Sequence, residues 1–474
     1  MTEVIGVDSS TQSTKILRVD AETGKVLAQG SAPHPDGTAV DPSAWREALL
    51  AAAGSDGTHD GETYDGGLLA GAAAVSVAAQ QHGMVALDRD GEPVMDALLW
   101  NDTRSAPQAA RLREAFGEEF WAGEIGVVPV PSFTITKLAW LREERPSLAD
   151  RVERVLLPHD WLTWQLAGRP VEAVTDRSDA SGTGYYSVPE GRYRHDVLEH
   201  AFGRVPELPR VLGAAEAAGE TSGGALLGPG CGDNAAAALG LGLRPGDVAV
   251  SIGTSGTVFA SAASSRPDPS GAIAGFADAT GKGLPLLCTL NAARVLDGTA
   301  RLLGRSLEEL DRLALDAAPD AGGLVLLPYL DGERTPDLPG ATGTLRGMRL
   351  ANLGAENMAR AAVLGVLCSL AEALDRLRAS GVPVRRAVLT GGAARSRAVR
   401  EAAAELFGVE VSVPKPTEHV ALGAARQAAW VLSGAAEPPA WEPPNGTVHA
   451  PSGAAWATEV RGRYAEERLR VYGV

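Results

Sequence analysis

The sequence predicts a two-domain α/β protein, and three observations carry that expectation. The chain has 474 residues, too many for one hydrophobic core and suited to two domains of about 200 residues each. Short apolar, β-prone runs alternate with stretches of helical period along its length. The same opening of strand, turn, strand and strand also occurs twice.

The first opening holds strand candidates at 4–8, 14–19 and 26–29, with the turn Ala21-Glu22-Thr23-Gly24 before the third. Turn residues between β-prone runs specify an antiparallel meander. A helix follows around Trp45, Leu49 and Leu50, with Asp41-Pro42-Ser43 as its start signal. Residues 73–79 then read as a buried strand.

The second opening places strands at 248–252, 258–260 and 284–290, with the turn at 253–257. Setting Ser10-Thr11-Gln12-Ser13-Thr14 over Gly253-Thr254-Ser255-Gly256-Thr257 matches two threonines at the same offset. Both turns fall between the first two strands of a meander, which points to a duplicated domain. The expected division is 1–235, 236–435 and a tail at 436–474 with a last helix around Trp456, Val460 and Tyr464.

Between and within the halves, 159–166 and 196–202 look helical, and 178–184 reads as a loop. Residues 54–67 and 261–283 read as solvated loops, and Glu437-Pro438-Pro439 and Glu442-Pro443-Pro444 break the chain. The spacing of Leu367, Leu370, Leu374 and Leu377 is one face of a core helix.

Composition narrows the function. A hydrophobic content of 45% and a charged content of 22% are those of an ordinary globular chain. The net charge of -16 argues against a nucleic-acid or anionic-membrane partner, both of which need basic patches. The N-terminus carries no secretion signal, and no apolar run approaches the ~20 residues of a membrane helix. Cys231, Cys288 and Cys368 fit neither a disulfide framework nor a zinc site, so a reducing cytoplasm is expected. A homodimer is the base-rate assembly.

Asp233, in Gly230-Cys231-Gly232-Asp233-Asn234 before an alanine run, is the leading catalytic candidate. Glycines let a substrate approach closely, and the carboxylate can take a proton from an incoming hydroxyl. The alternative role is a helix N-cap.

The two hydroxyl-rich turns can present backbone N–H groups and hydroxyls to phosphate oxygens. Thr11, Gln12 and Ser13 would serve in the first, with Lys15 adding a point charge, and Gly253, Thr254 and Gly256 in the second. Ordinary hairpins are the alternative. Asp8 ends the first strand beside its turn, where a carboxylate next to phosphate calls for a cation, expected to be Mg2+ held through waters. Gly391 and Gly392 form a third glycine-rich point that lets the backbone pass close to a nucleotide such as ATP. The polar segments at 80–84 and 98–104 end buried runs, which is costly without a ligand or other partners. Trp100 offers a face to a sugar, and Gln81, His82, Asp102 and Arg104 offer hydrogen bonds.

With these motifs in order, the sequence resembles the FGGY family of carbohydrate kinases, in the actin-like ATPase superfamily, and within it the members acting on D-xylulose. The resemblance rests on Asp8-Ser9-Ser10-Thr11-Gln12-Ser13-Thr14-Lys15, Gln81-His82-Gly83-Met84, Leu99-Trp100-Asn101-Asp102-Thr103-Arg104, Gly232-Asp233-Asn234, Ser251-Ile252-Gly253-Thr254-Ser255-Gly256, Leu327-Pro328-Tyr329-Leu330-Asp331-Gly332-Glu333-Arg334-Thr335-Pro336 and Gly391-Gly392-Ala393-Ala394-Arg395-Ser396. It implies two actin-like (ribonuclease H-like) domains, each a mixed five-stranded sheet flanked by helices, with an interdomain cleft. It further implies ATP-dependent phosphorylation of D-xylulose at its terminal hydroxyl, with Asp233 as base and with His82 and Asn234 on the sugar. Gln81 stands where many such kinases carry Met. Ser10 stands where Gly is common, and would be strained if that position took a positive φ. Another sugar or polyol (L-ribulose, gluconate or glycerol) is the competing substrate class, and a non-catalytic sugar-binding sensor the competing function.

Overall fold

A computed structural model describes residues 2–54, 66–264, 266–442 and 446–474. Most of the loop expected at 54–67 and the Pro443-Pro444 break lie outside the described residues. The chain forms two compact units. The first comprises Met1–Gly242, Pro267–Leu284 and Pro416–Pro443, and the second Leu243–Arg266, Pro285–Lys415 and Pro444–Val474.

In the first unit the meander forms as the sequence predicts. Strand Glu3–Ser9 pairs antiparallel with Ser13–Asp20, with Asp8 opposite Lys15, and Ser13–Asp20 pairs antiparallel with Val26–Pro33. The all-buried strand Ala74–Ala79 lies parallel to Glu3–Ser9 on the other side, with Asp8 opposite Ala78. Leu226–Leu227 and Gly219–Glu220 continue the sheet beyond it, so short strands extend the expected five-stranded core. Cys231–Gly232 also runs parallel to Ala74–Ala79, placing Cys231 opposite Ala78. Three parallel segments therefore end at one edge, carrying Asp8, Gln80 and Asp233. The carboxyl ends of parallel strands are where open α/β sheets bind ligands.

The second unit repeats the pattern. Asp247–Ile252 pairs antiparallel with Gly256–Phe259 and parallel with Arg386–Thr390. Gly283–Thr289 extends one side, and Glu410–Pro414 with Gly446–His449 the other. Helix Ala355–Ala379 covers this sheet and buries Leu367, Leu370, Leu374 and Leu377, the face read from their spacing. The expectation that no stretch could span a membrane needs correction. This 25-residue helix is long and apolar enough by length and composition, and 83% of its most apolar window is buried in the fold.

Two further differences have local causes. The expected loop at 178–184 begins with the one-turn helix Arg177–Ala180, because the Asp176 carboxylate accepts the N–H groups of Ser178 and Asp179 at 2.7 and 2.9 Å. The units also interleave in sequence where three continuous pieces were expected. Helix His419–Ser433 belongs to the first unit and packs on helix Asp233–Gly240, the element that the cut after 235 would divide.

Small residues permit this approach. A Cβ at Gly423 would stand 1.8 Å from the Ala236 carbonyl oxygen, and one at Gly6 would stand 1.9 Å from that of Ala421. Backbone, rather than flexible side chain, is what such a Cβ would strike. Gly423→Val should therefore destabilise the protein by about 1–3 kcal/mol or more, read as a lower denaturant midpoint. The same variant should lose activity out of proportion to its unfolded fraction, since Ala236 is three residues from Asp233.

Candidate active site

Asp233 opens helix Asp233–Gly240, and Gly232 occupies the N-cap position. The carboxylate is therefore not the cap. Its Oδ1 accepts from the Asn234 N–H at 2.7 Å and from Asn234 Nδ2 at 2.8 Å. Asp233 is half-buried, so a hydroxyl can reach it. Burial, then the charges of Asp8 and Asp179, push its pKa up to about 7 against the pull of the Asn234 bonds. A carboxyl poised near neutrality suits general-base work.

Gly232 sets the distance between this acid and the first polar segment. A Cβ there would lie 2.6 Å from Gln81 Cγ. Gln81 Oε1 accepts from Asn234 Nδ2 at 3.4 Å, and its Nε2 donates to the Ser178 carbonyl at 3.4 Å. Gln81, Asn234 and Asp233 thus form one hydrogen-bonded series. His82 adjoins it with φ at 69°, a left-handed conformation costly for a residue with a side chain. Ser10, where strain was conditionally expected, has no positive φ. The His82 ring lies with Nδ1 2.8 Å from the Gly182 carbonyl oxygen, and its centroid is 4.8 Å from Phe133 and 5.4 Å from Phe276. Phe133, Ser178, Gly182 and Phe276 were not singled out from sequence. Only the small, polar run after Asp176 carried a signal.

Asp102 is buried and fully engaged, accepting from Thr38 Oγ1 at 2.8 Å and from the Arg104 N–H and Nε at 3.0 and 2.8 Å. Burial works to raise its pKa, but the Arg104 and Thr38 bonds win and hold it below the usual carboxylate range. Trp100 is 37% exposed and donates Nε1–H to Thr11 Oγ1 at 2.8 Å, which joins the apolar face expected for a sugar to the first hydroxyl turn.

That turn is committed to internal bonds. The Ser10 hydroxyl donates to Asp8, and Thr14 Oγ1 lies 2.8 Å from His34 Nε2. Gln12 is exposed, and Ser13 opens the second strand. Lys15 does not stand free, since its Nζ meets Glu418 Oε2 at 2.7 Å. Burial raises the Asp8 pKa to about 6, opposed chiefly by Ser10 and Lys15. Among the described residues no group of three or more His, Cys, Asp or Glu is arranged to hold a metal. Asp8 belongs to no such cluster, and a site with so few protein oxygens would fit a cation retaining most of its waters.

In the second unit, the turns at 253–256 and 391–392 come together. Gly391 has φ at 86°, and a Cβ on it would lie 2.6 Å from the Ile252 carbonyl. Thr254, Gly391 and Gly392 are exposed and Gly253 is half-buried. Gly256 is buried, and a Cβ there would lie 2.5 Å from Thr289 Oγ1, so packing already requires glycine at that position.

The first unit's meander thus carries an accessible, near-neutral carboxyl at its sheet edge, and sequence comparison gives the class of protein. The chain belongs to the FGGY family of carbohydrate kinases: residues 3–240 match the family's N-terminal domain and 248–432 its C-terminal domain. It is 46% identical over 464 residues to the xylulose kinase of Streptomyces rubiginosus, covering 94% of this chain and 92% of that one. The crystal structure of xylulose kinase from Bifidobacterium adolescentis superposes with a TM-score of 0.89 at 43% identity, covering 98% and 99% of the two chains. A gluconate kinase from Lactobacillus acidophilus reaches a TM-score of 0.87 at 21% identity over 99% of each chain, which is likeness of fold alone.

The raised carboxyl has a consequence independent of turnover. The folded state holds the Asp233 proton more tightly than the unfolded state, so this group's contribution to stability is present below pH ~4 and is lost as pH rises towards about 7. Asp233→Asn cannot ionise. Above pH 7 the variant should melt at a higher temperature than the parent, with the difference vanishing near pH 4, as thermal unfolding across pH would show.

Proposed function

We propose that the protein transfers the γ-phosphoryl group of ATP to the C5 hydroxyl of D-xylulose, forming D-xylulose 5-phosphate. The observation carrying this reading is Asp233, an accessible carboxyl raised to about 7 and bonded through Asn234 to Gln81, next to His82. The identity to xylulose kinases over nearly the whole chain supports the choice of sugar.

The chemistry asks for positioning and charge compensation more than covalent participation. Gln81, His82 and Asn234 would hold the sugar's hydroxyls, and Trp100 would lie against its carbon face. Asp233 would orient the terminal hydroxyl and accept its proton as the oxygen bonds to phosphorus. The accessible backbone at Gly253, Thr254, Gly391 and Gly392 would hold the nucleotide. Asp8 would hold Mg2+ through waters, and the cation would offset charge on the phosphates.

A positioned base supplies about 10²–10⁴ in rate. Asp233→Asn should lower kcat by that order while the sugar still binds, measured by coupled ADP release and by titration calorimetry. Turnover within a few-fold of the parent would remove Asp233 as the base. The acid limb of kcat/KM should fall tenfold per unit below about pH 7, because only the ionised carboxyl accepts the proton. The same assay over L-ribulose, gluconate and glycerol tests the sugar, and D-xylulose should give the highest kcat/KM. An inert protein that still binds sugar would instead be a sensor.

A further inference from the structure

Beneath the active-site turns of the first unit lies a buried charge cluster that the reaction above does not use. His159, on helix Pro158–Leu166, is fully buried. Its Nδ1 stands 2.7 Å from Asp179 Oδ2, and its Nε2 stands 3.1 Å from Asp160 Oδ1 and 3.9 Å from Asp176 Oδ1. All three carboxyls are buried. The other titratable groups facing the cluster are the Tyr185, Tyr186 and Tyr193 hydroxyls, the Cys231 thiol and the Asp233 carboxyl, none of them cationic. His159 is thus the cation that these acids share. Burial alone would push its pKa down, but Asp160, Asp179 and Asp176 outweigh burial and raise it.

The cluster connects to the site through Asp179 and its neighbour. The His82 main-chain N–H faces the Asp179 carboxyl and favours its ionised form. Ser178 Oγ accepts the Gly232 N–H at 3.1 Å, one residue before the base. The charged groups facing Asp233 are Asp8 and Asp179. Burial works to protonate Asp179, and the bond to His159 is the strongest influence keeping it ionised.

We infer that His159 is a positioning residue for the phosphotransfer site: it keeps Asp179 charged beneath the catalytic turn, and that charge holds Asp233 at the basicity the reaction uses. A buried carboxylate that loses its cation takes up a proton instead of remaining charged. Without His159, Asp179 becomes neutral, its repulsion on Asp233 disappears, and Asp233 becomes a weaker base. The inference rests on Asp233 acting as the base, as proposed above.

The test is the pH profile of kcat/KM for His159→Gln, Asp179→Asn and the double variant, on whichever sugar the parent turns over fastest. Each single variant should move the acid limb to lower pH by about half a unit or more and lower the plateau. The double variant should match the singles rather than add to them, as residues acting as one unit do. KM for ATP should stay within about twofold. If His159→Gln fails to fold, Asp179→Asn carries the test, because it leaves His159 in place for the buried Asp160 and Asp176. A limb unmoved in the folded variants, or additive shifts, would overturn the inference and leave His159 a packing residue. A parent inactive on D-xylulose but active on another sugar would refute only the substrate reading.

Discussion

Asp233 must be held where its charge is disfavoured and yet remain free of any partner that would neutralise it. Most of what surrounds it in the first unit serves that requirement. The strand Cys231–Gly232 fixes the acid at the sheet edge through pairing with Ala74–Ala79. The missing side chain of Gly232 brings Gln81 against the turn. The bonds Asp233 does accept come from Asn234, a neutral donor. The charges that reach it, from Asp8 and Asp179, repel its ionised form. An arginine at hydrogen-bond distance would have secured the same pose, and would also have pulled the pKa far below neutrality and out of the range the proposed base needs.

Much of this was legible in the sequence because it is local. The meanders, the glycines around Asp233 and the helix start at 41–43 follow from turn chemistry and periodicity, which act over a few residues. The helix containing Leu367 to Leu377 was legible for the same reason. The contacts of the site were not. Phe133 and Phe276 flank His82 from positions 51 and 194 residues further along the chain, and no spacing rule connects them. His159 reads as one polar residue in a helical pattern, and only the fold brings Asp160, Asp176 and Asp179 around it. The return of 419–433 to the first unit was not legible either, since only the fold sets that helix against Asp233–Gly240.

The two hydroxyl turns show how far a duplication can diverge while its backbone stays. In the second unit the turn keeps Thr254 exposed and Gly253 accessible, so its donors remain available to a ligand. In the first, Ser10 is bonded to Asp8, Thr11 to Trp100 and Thr14 to His34. The motif alignment matched Thr11 with Thr254, and the structure gives the two threonines different surroundings. Residue identity at equivalent positions therefore carries less information about role than what each hydroxyl is already bonded to.

That difference bears on how a sugar kinase avoids transferring phosphate to water. Water would reach Asp233 as readily as a sugar hydroxyl does, so the base alone gives no selectivity, and selectivity must come from interactions that the correct substrate makes and water does not. On the function proposed above, Trp100 would make one such interaction. It is part exposed, its ring is the apolar face proposed for the sugar, and its indole N–H is already bonded to the Thr11 hydroxyl. A sugar carbon face against that ring would fix the indole, and the indole would fix Thr11. Water packs against no apolar face and leaves both side chains unrestrained. The hydroxyl that sequence alone would assign to phosphate is thus tied by its hydrogen bond to the residue proposed to meet the sugar.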